Sequence, residues 1–245
     1  MALKTKCILD SRRKDGGASR EALDPHTIAL HGLNGEGGRV GAAGAPKDYR
    51  YLTLANSPAR DGMEKFYGAL EKYVETFSRQ FDKDGERIKS FYLYSDSPGT
   101  GKTTTAVALM NEFIMSNYLG ALRNGVAPPQ MPAMFFDLNA IQRTYNIAVQ
   151  SDDKDTIRQV AQKFEKAASV PFLVLDDVSI RSASESFTAL LHDVVNHRAS
   201  TSLPTIYTSN VSLDDLERTY GARVFDRVRD KCVEIKFSGG SRRGK

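Results

Sequence analysis

Lys102, Thr103, Asp176, Asp177 and Asn210 are the side chains in this 245-residue sequence whose types and spacing suit phosphate chemistry. Lys102 and Thr103 close the run SDSPGTGKTT, Ser95 to Thr104. Gly99 and Gly101 let the backbone there turn its N–H groups toward an anion, because no Cβ blocks the turn or the approach. A lysine so placed reaches β- and γ-phosphates, and the hydroxyl after it serves Mg²⁺. The cradle is therefore read as Ser97, Pro98, Gly99, Thr100, Gly101, Lys102, Thr103 and Thr104. The strict pattern G-x-x-x-x-G-K-[ST] has glycine where this chain has Asp96. Asp96 is expected to adopt the left-handed conformation that aspartate tolerates better than most residues. The competing reading is a glycine-rich hairpin beside a chance Lys-Thr pair.

Asp176 and Asp177 end the apolar run PFLVLDD, about seventy residues after the loop, which is the order expected of a nucleotide-binding α/β sheet. Asp176 is expected to orient Mg²⁺ together with Thr103, and Asp177 to hold the attacking water. Helix-capping or loop acids are the alternative for both. Asn210 ends TIYTSN, where an amide can hydrogen-bond a γ-phosphate or that water; the alternative is a turn-forming Asn before VSLDD.

These residues need strands that deliver them to one edge and helices that cover the sheet. The run SFYLY from Ser90, Ala133 to Phe136, the run PFLVLDDVS, Thr205 to Asn210 and Cys232 to Phe237 read as strands. Between them, Met63, Phe66, Tyr67, Leu70, Tyr73, Val74 and Phe77 recur at helical spacing, with Ser57-Pro58 or Asp61 and Glu64 as start signals. Val107, Met110, Phe113 and Ile114 mark a helix that Gly120 and Pro128-Pro129 are expected to close. Residues 138–168 read as two helical stretches broken at Asp152 to Asp155. Phe187, Leu190, Leu191, Val194 and Val195 mark another helix, and DDLERTYGARVFDRVRD reads as two helices around Gly221, presenting Arg223, Arg227 and Arg229.

Residues 1–47 are charged and turn-rich, with Gly32, Gly35, Gly37, Gly38, Gly41 and Gly44 close together. They are read as a flexible arm, since such composition buries too little apolar surface to offset ordering entropy. His26 and His31 are placed on the surface or in loops. Residues 48–245 are the packed domain, ending in the basic tail SGGSRRGK.

The chain is 40% hydrophobic with a formal net charge of +4, which permits a nucleic-acid partner without requiring one. Its two cysteines, Cys7 and Cys232, form neither a disulfide framework nor a zinc pattern, so a reduced, cytoplasmic setting fits. No apolar run is long enough to span a membrane, and the start MALKTKCILDSRRK lacks the apolar core of a secretory signal.

PGTGKT, LVLDD, TSN and RVFDRVR, in this order, resemble the AAA+ ATPases, and more closely the DnaI and DnaC type of replicative-helicase loader. The resemblance covers Asp48 to Arg243 and is most diagnostic from TSNVSLDDLERTYGARVFDRVRD through SGGSRR. It implies a five-stranded parallel sheet between helices, ATP and Mg²⁺ at the boundaries of self-associated subunits, and delivery of a hexameric replicative helicase to single-stranded DNA. It also implies that Asn210 senses the γ-phosphate and that Arg227, or less directly Arg223, is a finger offered to the neighbouring subunit. Too few residues follow Arg227 for a fifth strand and a helical lid, so a lid-borne sensor arginine is expected to be absent.

Asp177 stands where vigorous AAA+ motors carry Glu. A reach shorter by one methylene implies slow hydrolysis, stimulated by DNA or a partner. Arg143 and Tyr145 could offer single-stranded DNA a cation and a stacking ring, although helix packing accounts for Tyr145 equally well. An IstB-like ATPase that assists a transposase on duplex DNA shares most of these marks. A P-loop kinase or nucleotide-gated adaptor is the competing class, but residues 138–168 advertise no acceptor site.

Overall fold

The computed structural model describes residues 7–12, 24–82, 86–179, 183–220, 222–238 and 240, without the side chains at 219, 220 and 222–225. In chain order its helices and strands are α1 (Pro25–His31), α2 (Gly38–Ala42), α3 (Glu64–Glu75), β1 (Ser90–Tyr94), α4 (Lys102–Arg123), β2 (Ala133–Asp137), α5 (Leu138–Gln150) and α6 (Lys154–Ser169). There follow β3 (Phe172–Asp176), α7 (Glu185–Thr201), β4 (Thr205–Ser209), α8 (Leu213–Tyr220), α9 (Ala222–Lys231) and β5 (Cys232–Lys236). The chain separates into two compact units, Met1–Ile88 with Thr103–Phe135, and Lys89–Lys102 with Phe136–Lys245.

The first unit corrects the flexible-arm expectation for residues 7–12 and 24–47. Asp24 caps α1 by accepting from the Thr27 N–H at 2.9 Å, Pro25 opens the helix, and Gly32 ends it at φ 71°. Leu30, His31 and Val40 are fully or almost fully buried. The glycines serve close packing: a Cβ on Gly38 would lie 2.5 Å from the Leu30 carbonyl, and one on Gly41 would collide with the Glu36 oxygen. Arg39, also buried, donates to the carbonyls of Ala29, Pro128 and Pro129 at 2.8–2.9 Å and lies over the Tyr118 ring. The remainder of the expected arm, 1–6 and 13–23, and the tail from Ser241 lie outside the described residues.

His31 is a core residue rather than a surface one. Its Nε2 accepts the Ile8 N–H at 3.1 Å, its ring stacks on Tyr51, and burial lowers its pKa to about 4. Of the two expected starts of α3, the helix begins at Glu64. Ser57 does not cap it; its hydroxyl bonds Tyr67 Oη at 2.8 Å, which in turn bonds Thr105 Oγ1 at 2.9 Å. Nor does Gly120 close α4, which continues to Arg123. A Cβ at 120 would strike the Phe81 ring, so this glycine admits an aromatic neighbour. Gly125 makes the turn instead, at φ 66°.

The second unit holds the sheet's central strands. The strand order is β2-β3-β4-β1-β5, and β3–β4, β4–β1 and β1–β5 all pair in parallel. Central β3, β4 and β1 read as near-continuous apolar runs because helices cover parallel sheets on both faces. Phe136, Phe164 and Phe187 pack edge to face with centroids 5.0 and 5.4 Å apart, joining β2, α6 and α7. Arg198 of α7 is 1% exposed and donates to Ala167, Ala168, Val170 and Pro204 carbonyls and to Thr205 Oγ1. One guanidinium thus satisfies the carbonyl end of α6 and the entry to β4.

Candidate functional site

Parallel pairing brings the carboxyl ends of β3, β4 and β1 side by side, with Leu175 opposite Tyr207 and Tyr94 opposite Ser209. Ligands of open α/β sheets bind beyond such ends. The loop leaving β1 begins with the Ser95 N–H donating to the Ser209 carbonyl at 3.3 Å, adjacent in sequence to Asn210. It then turns through Gly99 at φ 75° and Gly101 at φ 99°, conformations that favour glycine, and enters α4 at Lys102. Lys102 is 8% exposed, and its Nζ donates back to the Ser97 carbonyl at 3.3 Å. Ser97 and Pro98 are exposed at the rim, while Thr103 and Thr104 are half-buried in the first turn of α4.

This loop fits a nucleoside triphosphate. Two glycines hold the backbone open, the 22-residue helix presents its positive end, and the Thr100 hydroxyl is buried without a hydrogen-bond partner among the described residues. Asp96 departs from expectation: it is absent from the positive-φ residues, so no left-handed turn is needed at that position. Its carboxylate instead pairs with Lys236 Nζ at 2.8 Å.

The acids are organised by Thr208, which lies in the TSN motif but to which the sequence assigns no role. Its hydroxyl donates to Asp176 Oδ1 at 2.6 Å and accepts the Asp177 N–H at 2.9 Å, while its carbonyl accepts the Val178 N–H at 2.9 Å. The chain can therefore leave β3 with Asp177 at φ 55°, a left-handed conformation that aspartate adopts at some cost. Asp177 then accepts three side-chain hydrogen bonds, from Asn139 Nδ2 at 2.6 Å, Ser179 Oγ at 2.8 Å and Asn210 Nδ2 at 3.1 Å. Asn139 sits in the first turn of α5, whose cap Asp137 accepts the Ala140 N–H at 2.8 Å.

Asp176, Asp177 and Asn210 thus stand together at one sheet edge, next to the strand end from which the Lys102 loop departs. Asn139, Ser179 and Thr208 join them, none with a role assigned by the sequence. Arg227 is exposed on α9. The Arg223 side chain lies outside the described residues. Arg143 is exposed on α5, but the Tyr145 ring lies 5.6 Å from Phe187, so packing already employs it.

No family model matches the chain. It is 26% identical over 169 residues to the replicative helicase loader DnaC of Escherichia coli (strain K12), which covers 69% of this chain and 59% of that protein. It is also 26% identical over 193 residues to the replicative helicase loader DnaI of Bacillus subtilis (strain 168), across 71% of this chain and 54% of the relative. The chain therefore spans little more than half the length of these curated relatives. Among solved structures it is similar to DnaI, with a TM-score of 0.56 at 21% identity, covering 80% of this chain and 95% of that one. It is similar to the DnaC helicase loader with a TM-score of 0.54 at 20% identity, covering 79% of this chain and 100% of that one. A replication initiator DnaA bound to AMPPCP and single-stranded DNA aligns with a TM-score of 0.51 at 18% identity, over 80% of this chain and 52% of that one. The fold is that of the AAA+ P-loop proteins, and the curated relatives are helicase loaders. Nothing in these comparisons supports the transposition-ATPase alternative.

Proposed function

We propose that this chain is an ATP-binding, slowly hydrolysing helicase loader that works in the cytoplasm and places a hexameric replicative helicase on single-stranded DNA. The observation that carries the proposal is the Asp176–Thr208–Asp177 arrangement beside the glycine loop: an acid pair held rigidly where a sheet of this kind receives a triphosphate. The DnaC and DnaI relatives supply the loader role.

In this reading Lys102 binds the β- and γ-phosphates, and Thr103 with Asp176 holds Mg²⁺, whose charge offsets that of the phosphates when it is bound. Asp177 orients a water and takes its proton, and Asn210 fixes the geometry between that water and the γ-phosphate. Hydrolysis is slow for two reasons. Aspartate reaches less far than glutamate, and three donors already occupy the Asp177 carboxylate, so an attacking water must compete with them for its lone pairs. ATP consequently acts as a switch for assembly, with Arg227 completing the site of a neighbouring copy. Arg143 is the residue we assign to the DNA backbone.

The test is to measure nucleotide binding and turnover, alone and with single-stranded DNA and a replicative helicase. Binding that needs Lys102, and slow turnover that rises with DNA or helicase, is the expected result. Rapid turnover by the isolated chain would contradict the switch, and a phosphorylated small product would indicate a kinase.

A further inference from the structure

Asp96 is the one position at which the phosphate loop departs from its glycine pattern, and it places a carboxylate at the rim of a cradle built for an anion. The carboxylate does not stand alone. Strand β5 pairs with β1 in the register Tyr94↔Lys236, and the Phe237 N–H extends that pairing to the Tyr94 carbonyl at 2.7 Å. The carboxyl end of β5 is thereby fixed beside the residue two positions before Asp96. Lys236 Nζ lies 2.8 Å from Asp96 Oδ2 and 5.6 Å from the Tyr94 ring centroid.

As a stabilising contact this pair contributes little. The Lys236 and Asp96 side chains are 55% and 70% exposed, and exposed ion pairs are weakened by solvent and salt. Its place is more informative than its strength. An uncompensated aspartate at the loop's first position repels a triphosphate, whereas a lysine held against it cancels that charge on the side from which the loop departs. The hydrogen bond with Asp96 also raises the Lys236 pKa.

We propose that Lys236 is a charge-compensating residue of the phosphate loop, and that the Asp96–Lys236 pair sets the affinity of the cradle for nucleoside triphosphate. This rests on the nucleotide-binding reading above and adds to it a residue from the edge strand, far from the loop in sequence. The pair is then a tuning element. Each charge moves affinity in the opposite direction to the other.

The experiment is a fluorescent-ATP titration, with Mg²⁺, of the full chain and three variants, each checked by circular dichroism for the native fold. Asp96→Asn removes the anion and keeps the shape; Lys236→Met removes the cation and keeps the stem over Tyr94. Asp96→Asn is expected to bind about threefold more tightly and Lys236→Met about threefold more weakly, with the double variant near wild type and all differences shrinking in high salt. A merely structural latch would weaken binding in both single variants alike, and that result overturns the proposal, as do equal affinities across the set. Failure of the unaltered chain to bind the analogue overturns the nucleotide reading itself, and this inference with it.

Discussion

Thr208 and Asp176 are joined by a 2.6 Å hydrogen bond in which the threonine hydroxyl donates, and the same oxygen accepts the backbone N–H of Asp177 at 2.9 Å. A single buried hydroxyl therefore aims one acid and holds the left-handed turn that presents the next. Thr208→Val keeps the β-branched shape but removes both contacts. Hydrogen bonds to charged groups are worth about 1.5–3 kcal/mol, so ATP turnover should fall about 10- to 100-fold. Thr208→Ser should restore most of it. Parallel thermal melts check that the valine variant remains folded.

Asn139 bonds the Asp177 carboxylate at 2.6 Å and competes with any water that the acid must activate. Removing one such donor, a hydrogen bond worth about 1 kcal/mol, leaves its place on the carboxylate to the water, so Asn139→Ala should raise basal hydrolysis about fivefold. Stimulation by DNA or helicase should shrink in proportion. Steady-state phosphate release with and without those partners measures both. An unchanged basal rate would mean that this contact does not restrain the acid.

Arg198 predicts a stability effect without a site effect. Its guanidinium serves five acceptors at the junction of α6, β3 and β4. Arg198→Met fits the cavity but strands those oxygens, which should cost about 3 kcal/mol or more in urea denaturation. Lysine should recover only part of the loss, because its ammonium lacks the guanidinium fork.

His31 gives the first unit a pH signature. Its folded pKa of about 4 lies below the ordinary histidine value of 6.5, so the unfolded chain binds more protons between those values. The resulting stability is complete above pH 6.5, declines as pH falls through the interval, and is lost below about 4. His31→Gln, which keeps an acceptor for the Ile8 N–H, should flatten the stability profile over that range. Equal slopes for both proteins would contradict the assignment.

How much of this could be read from residues alone follows from what each signal encodes. The loop at Gly99 to Thr103 and the acids after β3 were legible because their chemistry is contiguous in the chain. The contacts of Thr208 and Asn139 with the acids were not, since they arise only through the β3–β4 register and the start of α5, relationships that no local spacing records. The glycines from Gly32 to Gly44 misled because composition cannot distinguish a residue chosen for freedom from one chosen for closeness. Gly38 and Gly41 are of the second kind. Gly120 failed as a helix stop for the same reason, and Asp96 was assigned a backbone role when its side chain answers Lys236.

The central claim is that ATP at the Lys102 loop governs engagement of a replicative helicase. The direct measurement is co-purification of the full chain with a candidate hexameric helicase, with and without ATP and Mg²⁺, beside Lys102→Ala. The account predicts a complex whose yield depends on ATP in the unaltered chain and loses that dependence in the variant. A chain that ignores adenine nucleotides, or that retains no helicase under either condition, would contradict it.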